Sequence, residues 1–202
     1  MREIQPVSRY RFLFKLHETY SIRRFFNIEK MKMKELFLTE PSLSYKDSFQ
    51  SLVMEYLQSG EETYKNMYKP ALANFNKYVI LLKAHAQGKN LPAGEVAYST
   101  YWLVTYYNHI LGNIRLRHQS LPVYGNIGYD IRPSFRNNGY GTVMLKLAIE
   151  KAQQLEMNYL KIACDQRNKS SIKVIEKNGG VFIERVFDRK TRLFVNKYFI
   201  DL

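Results

Sequence analysis

The chain has 202 residues, 46% of them apolar and 24% charged, which suits one globular domain and excludes wholesale disorder. Thirty-one Lys and Arg against 18 Asp and Glu give a formal net charge of +13, so the surface favours a polyanion or a phosphate-bearing ligand. No apolar run approaches the roughly 18 residues of a membrane span, and the single cysteine, Cys164, excludes an intrachain disulfide and two-cysteine metal sites. Phe12, Leu13 and Phe14 are too few, and too closely flanked by Arg9, Arg11 and Lys15, to form a signal-peptide core, so a cytoplasmic protein is expected.

Residues 1–32 are basic and aromatic and contain no glycine. They read either as a helix that packs on the domain or touches an anionic partner, or as an extension upstream of a natural start at Met31 or Met33; the second reading is preferred. The domain proper is expected over residues 34–202. Glu35–Thr39 is a short predicted strand closed by Pro41. Ser44 and Asp47 stand at capping-box spacing before a helix. Its apolar residues Tyr45, Phe49, Leu52, Val53, Tyr56 and Leu57 share one face of a 3.6-residue period, and Gly60 ends it. A second helical stretch covers residues 62–86 with a break at Pro70, and residues 88–94 form a loop. Thr100–Thr105 and Ile110–His118 read as a hairpin around Asn108 and His109, and Gly125–Ile131 as a third strand.

A helix follows Gly139, with Thr142, Lys146, Glu150 and Gln154 as its polar stripe and Val143, Leu147, Ile149, Ala152 and Leu155 as its expected apolar side. Asn158–Cys164 is a strand, Ser170–Lys177 a short helix capped by Asn178-Gly179-Gly180, and Val181–Phe187 and Phe194–Ile200 complete the sheet. The order predicts an α+β domain on a mixed sheet.

The segment that carries chemistry runs from Ile127 to Thr142: a strand, a tight turn holding Arg136, Gly139 and Gly141, and a helix. Glycines there let the backbone approach a ligand closely. The first N–H groups of the helix lack intrahelical partners and sit at the positive end of its dipole, where phosphate oxygens bind well. Arg136 adds charge and forked donors. A Walker loop is absent, and Met144 stands where a Rossmann fingerprint needs a small residue.

In these residues the sequence resembles the GNAT superfamily of acyl-CoA N-acyltransferases. The family's Arg/Gln-x-x-Gly-x-Gly/Ala turn, after a strand ending hydrophobic-x-Pro, reads here as Ile131-Arg-Pro133 followed by Arg136-Asn-Asn-Gly139-Tyr-Gly141. A second motif, an asparagine leading into a helix that ends Glu-Lys-x-Gly, reads Asn168 to Glu176-Lys177-Asn-Gly179. The flavour is that of a bacterial branch of predicted acetyltransferases. The likeness covers residues 34–202 and does not extend to the first 32.

The resemblance implies a mostly antiparallel sheet, flanked by helices and splayed between its two central parallel strands. It implies acetyl-CoA as cosubstrate, its pyrophosphate on the backbone of Arg136, Asn137, Asn138, Gly139, Tyr140, Gly141 and Thr142. The pantetheine arm would lie along the strand ending at Ile131 and touch Asn168. The reaction is direct attack of an amine, on a small molecule or a peptide, at the thioester. Backbone N–H groups near Tyr129–Ile131 are placed to stabilise the oxyanion, and proximity supplies much of the rate.

One departure matters. Ile175 occupies the position where many family members carry the tyrosine that protonates the departing thiolate, leaving Ser171, Tyr129, Tyr198 or water as the acid. Asp130 and His118, on neighbouring strands, are the candidate bases. Asp165 is expected in a turn or cap. Arg115 and Arg117 read as a solvated sheet face, an acidic acceptor being the alternative. The four histidines show no i, i+4 pair, so no metal site is expected, and Cys164 reads as core. Nucleic acid is not the expected partner, because the basic residues are scattered; a homodimer through the last strand stays open. The alternative to a transferase is a non-catalytic CoA- or RNA-binding basic protein on the same fold.

Overall fold

The computed structural model describes residues 36–202, and the basic head expected over residues 1–32 lies outside them. Strand β1 (Leu36–Thr39) leads through a single 3-10 turn, Leu43–Tyr45, into α1 (Lys46–Ser59), α2 (Glu62–Tyr68), α3 (Pro70–Ala73) and α4 (Phe75–Ala86). Then come β2 (Tyr98–Thr105), β3 (Ile110–Leu121), β4 (Gly125–Ile131), α5 (Tyr140–Gln154), β5 (Tyr159–Asp165), α6 (Lys169–Lys177), β6 (Val181–Asp188) and β7 (Leu193–Asp201). The strands form one seven-stranded sheet in the order β1-β2-β3-β4-β5-β7-β6. Every neighbouring pair is antiparallel except β4 and β5, which run parallel. This is the mixed, mostly antiparallel α+β architecture expected. No helix among the described residues is long and apolar enough to cross a membrane.

Helix α1 buries Phe49, Leu52, Val53 and Tyr56, the stripe its 3.6-residue period predicts, and Gly60 closes it at φ 72 in the left-handed region. Those side chains join Tyr68, Phe75, Tyr78, Val79, Leu82 and Trp102 in a core between the helices and one face of the sheet. Phe49 meets Tyr68 edge-on, and Phe75 stacks on Trp102.

Four local expectations are corrected. The capping hydroxyl is that of Ser42, which accepts from the Ser44 N–H ahead of the 3-10 turn, rather than that of Ser44. The stretch after Gly60 breaks at Asn74 as well as Pro70: Asn74 turns extended and its Oδ1 accepts from Lys77 N at 2.9 Å, starting α4. On α5 the buried residues are Tyr140, Met144, Leu145, Ala148 and Ala152; Leu155 is 45% exposed. Arg115 and Arg117 do not face solvent: Arg117 is 5% exposed, and Arg115 Nε is buried.

The parallel junction is short. Gly125 and Ile127 both pair with Ile162. β5 then continues with β7 as far as Asp165 opposite Val195, whereas Gly128–Ile131 has no partner strand on that side. Gly125 adopts φ 69, and a Cβ there would lie 2.1 Å from the Lys161 carbonyl oxygen, so only glycine lets the two strands meet. Asn126 fastens the junction: its Oδ1 accepts from Lys161 N at 2.9 Å and its Nδ2 donates to the Arg117 carbonyl at 3.2 Å. Beyond it the sheet opens.

Candidate active site

A cleft of about 560 Å³ occupies that opening, lined by the end of β4, the turn before α5 and the first turns of α6. After Ile131 the chain makes a 3-10 turn over Pro133–Phe135 and enters α5 through Asn137 at φ 63 and Gly139 at φ 80. Left-handed residues alternating with ordinary ones point successive amides to one side, a concavity suited to anions. The amides of Arg136 and Thr142 are used within the loop, donating to Pro133 O at 3.3 Å and Gly139 O at 3.0 Å. Between them, the amides of Asn137, Asn138, Gly139, Tyr140 and Gly141 have no partner among the described residues. Asn138 Nδ2 clamps the turn by donating to the carbonyls of Arg136 at 2.8 Å and Phe135 at 3.3 Å. Lys173 and Lys177 of α6 face the same cleft and add positive charge to it.

Arg136 also lines the cleft, but its guanidinium is held on the other side. Nη1 and Nη2 donate to the two Glu61 carboxylate oxygens at 2.8 and 3.0 Å, and Nε donates to Ile131 O at 2.9 Å. The same carbonyl accepts from the Tyr56 hydroxyl at 3.1 Å. Arg136 thus ties the end of β4 to the α1–α2 connection rather than presenting its fork to a ligand. With Ile131 O occupied, the β4 backbone groups that face the gap are the N–H and C=O of Tyr129 and the N–H of Ile131, since Gly128 and Asp130 turn theirs to β3.

The candidate acids separate clearly. Tyr129 and Ser171 both line the cleft, with their hydroxyl oxygens 3.0 Å apart. Burial pushes the Tyr129 phenol up to about 12, so it is protonated at neutral pH. Tyr198 is 2% exposed on β7, does not line the cleft, and its hydroxyl accepts from Asn196 Nδ2 at 3.5 Å. Ile175, in the position of the family's tyrosine, is fully buried against Gly180.

Of the candidate bases, Asp130 lines the cleft and His118 does not. The antiparallel register sets Gly112 opposite Ile131, so His118 sits six residues further along β3, roughly 20 Å towards the other end of the strands. There its Nε2 lies 3.0 Å from Ser99 Oγ. Asp130 is 6% exposed and accepts from the Tyr56 hydroxyl at 2.6 Å and from the Tyr68 hydroxyl. Burial raises its pKa from 3.8 to about 6, and those two hydrogen bonds, with Arg115 and Arg136 further off, hold it from rising higher. Asn168 Oδ1 accepts from Ser171 N at 3.0 Å, capping α6 at the cleft wall and fixing where Ser171 stands. Asp165 makes the turn before it, accepting from Arg167 N at 2.8 Å.

Sequence reading missed Glu61, Tyr64, Lys173 and Lys177 as cleft residues. The two lysines stand at i, i+4 in the helix after Asn168, a readable signal for one shared face. Glu61 carried none, since its partner Arg136 lies 75 residues away.

Comparison with known proteins bears on this arrangement. The model of the acetyltransferase (GNAT) domain matches residues 47–181, from α1 through the cleft to the start of β6. The chain belongs to the GNAT acetyltransferase family. No curated protein matches it. Among solved structures, this GNAT domain is similar to an acetyltransferase from Salmonella typhimurium that modifies the N-terminal serine of the 50S ribosomal subunit protein L7/L12. The two are 17% identical, with a TM-score of 0.59 over 83% of this chain and 95% of the other. It is likewise similar to RimL, a ribosomal L7/L12 alpha-N-protein acetyltransferase solved in complex with coenzyme A. That likeness is 16% identity and a TM-score of 0.60, over 83% of this chain and 94% of that one. The microcin C7 self-immunity acetyltransferase MccE, solved in complex with acetyl-CoA and AMP, is 15% identical. Its TM-score is 0.61 over 83% of this chain and 93% of MccE. At such identities the likeness speaks for the fold.

Proposed function

We propose that this GNAT protein is an N-acetyltransferase that moves the acetyl group of acetyl-CoA to a primary amine of a small molecule or peptide. One observation carries the reading: five consecutive amides, Asn137 to Gly141, without partners at the mouth of a splayed sheet. They suit the oxygens of a diphosphate, with Lys173 and Lys177 supplying countercharge. The unpaired backbone groups of Tyr129 and the Ile131 N–H suit an arm that carries amides of its own and can add to the sheet like a strand.

In the transfer, the amine nitrogen forms a bond to the thioester carbon and its carbonyl oxygen becomes an oxyanion, to which the β4 backbone edge donates. Asp130 takes the proton released by the amine, its raised pKa matching that task near neutrality. The oxyanion then collapses to the amide as the carbon–sulfur bond breaks, and the thiolate takes a proton from Ser171; Tyr129 returns a proton to Ser171 and recovers its own from solvent. Direct attack needs no covalent intermediate with the protein, since proximity does most of the work.

Gly139→Asp tests the placement. Aspartate tolerates the left-handed region better than most residues, so the fold survives while a carboxylate stands in the amide nest. Calorimetry should show CoA affinity abolished at an unchanged Tm; undiminished affinity would refute the assignment. Thiol release from acetyl-CoA across an amine library tests turnover. CoA binding without release for any amine would make the protein a CoA-binding module instead.

A further inference from the structure

A second cavity, of about 250 Å³, lies under α3 and α4 on the sheet face that carries Asp130, with Tyr68, which bonds Asp130, among its walls. Its walls are Met67, Tyr78, Leu81, Leu82 and Pro92, and its floor is polar: Thr100 of β2 with Asn113 and Arg115 of β3. Thr100 is 4% exposed and Asn113 is 2% exposed. Thr100 Oγ1, Asn113 Oδ1 and Arg115 Nε are all buried without a hydrogen-bond partner among the described residues. Burying one such group costs on the order of 1–3 kcal/mol, and more when it is charged.

The neighbours of these atoms are not short of partners. Arg117, two residues along on the same face, is held by both Glu95 oxygens at 2.8 and 3.0 Å. His85, at the rim, donates from Nε2 to Asn90 O at 2.9 Å and accepts on Nδ1 from the Tyr98 hydroxyl at 2.6 Å. Asp130, the closest acid opposite Asn113, has both oxygens occupied by Tyr56 and Tyr68. Among the described residues no carboxylate stands within ion-pair distance of Arg115. Arg115 Nε, Thr100 Oγ1 and Asn113 Oδ1 therefore stay without hydrogen bonds in residues that line one apolar-walled space, while the guanidinium itself leans over the Tyr98 ring with its Cζ 5.9 Å from the centroid.

We propose that this cavity binds a small organic carboxylate with an apolar body, its carboxylate on Arg115 and Thr100 and an N–H group, where the ligand has one, on Asn113 Oδ1. A planar carboxylate matches the guanidinium fork, and the walls suit a ring or branched chain rather than a bare inorganic ion. The inference stands on this cavity alone and not on the acetyl-transfer reading.

The test is equilibrium binding to the full chain without acetyl-CoA, using 3-phenylpropionate, L-phenylalanine, phenethylamine and inorganic phosphate as probes. The two carboxylates should bind and protect against thermal unfolding, and phenethylamine and phosphate should not. R115M should weaken the carboxylates roughly tenfold or more without lowering the Tm, because it removes a buried cation that has no carboxylate partner among the described residues and leaves an apolar chain against Tyr98; T100V should weaken them less. CoA affinity, read in parallel, should be the same in both variants. Failure of the wild type to bind either carboxylate at about 10 mM, equal binding of phenethylamine, full displacement by phosphate, or undiminished affinity in R115M would each overturn the proposal.

Discussion

Asp130 offers the sharpest quantitative test, because one ionisation should appear in both stability and turnover. Its pKa rises from 3.8 to about 6 on folding, with burial the largest cause. A carboxyl whose folded pKa exceeds its unfolded one binds its proton more tightly when folded. Its contribution is therefore complete below pH 3.8 and is lost as pH rises through 6. The displacement of about two pH units corresponds to about 3 kcal/mol at 1.36 kcal/mol per unit. Asp130→Asn keeps the shape and can still accept from one tyrosine hydroxyl while donating to the other, yet it cannot ionise. Denaturant unfolding of both proteins between pH 4 and 8 isolates the effect from the packing changes that the substitution brings at every pH. The stability of the variant relative to the wild type should climb by about 2.4 kcal/mol across that range, the rest of the 3 kcal/mol being lost already below pH 4, and most steeply between pH 4 and 6. Once an acceptor is in hand, wild-type kcat/KM should rise with pH through about 6, and the variant should lack that limb. A relative stability that stays flat or falls with pH would refute the argument, since it would mean that Asp130 ionises in its buried site as easily as in the unfolded chain.

Ser171→Ala should lower kcat by about 100-fold while leaving the KM for acetyl-CoA within a factor of about two; Tyr129→Phe, which removes only the resupplying hydroxyl, should cost less. Equal kcat in Ser171→Ala and the wild type would move the acid to water. Gly125→Ala should destabilise the fold by at least about 2 kcal/mol, read as a lowered denaturation midpoint, because its Cβ would meet backbone at 2.1 Å and its φ of 69 is strained for alanine. A midpoint within error of the wild type would mean that β4 and β5 do not meet as closely as described.

Much of the fold could be read along the chain because its signals are local. Gly125–Ile131 is bounded by Pro122 and Pro133, and both ends match β4. The stripe from Phe49 to Tyr56 matches the buried face of α1. The turn motif from Arg136 to Gly141 was equally visible, because glycines and helix starts are local events. What stayed hidden was every relation that depends on register or on distant partners. Neither Arg136 nor Glu61 reveals that they pair, and nothing near His118 tells that the antiparallel register carries it away from Asp130. The apolar side of α5 was misjudged because Leu and Ile stand on several of its faces. Residues as small as Ala148 and Ala152 are what let it lie against the sheet.

The same pattern explains why the two cavities differ in kind. The cleft arises where a backbone ladder stops: Gly125 and Asn126 complete the β4–β5 junction, and past Ile127 no strand offers hydrogen bonds to the edge of β4. Its polar groups are main-chain amides, whose positions follow from the fold and from two left-handed residues, Asn137 and Gly139. Such a site recognises a ligand part common to many reactions, and side-chain changes around it leave the amides in place. The cavity under α4 arises instead where side chains of one sheet face run out of hydrogen-bond partners, with Arg115 Nε unbonded beside Arg117, which Glu95 holds. Its chemistry lies wholly in side chains, so a single substitution rewrites it. Of the two proposed sites, the cleft would therefore hold its ligand through main-chain amides and the cavity through Thr100, Asn113 and Arg115, so substitutions separate the two.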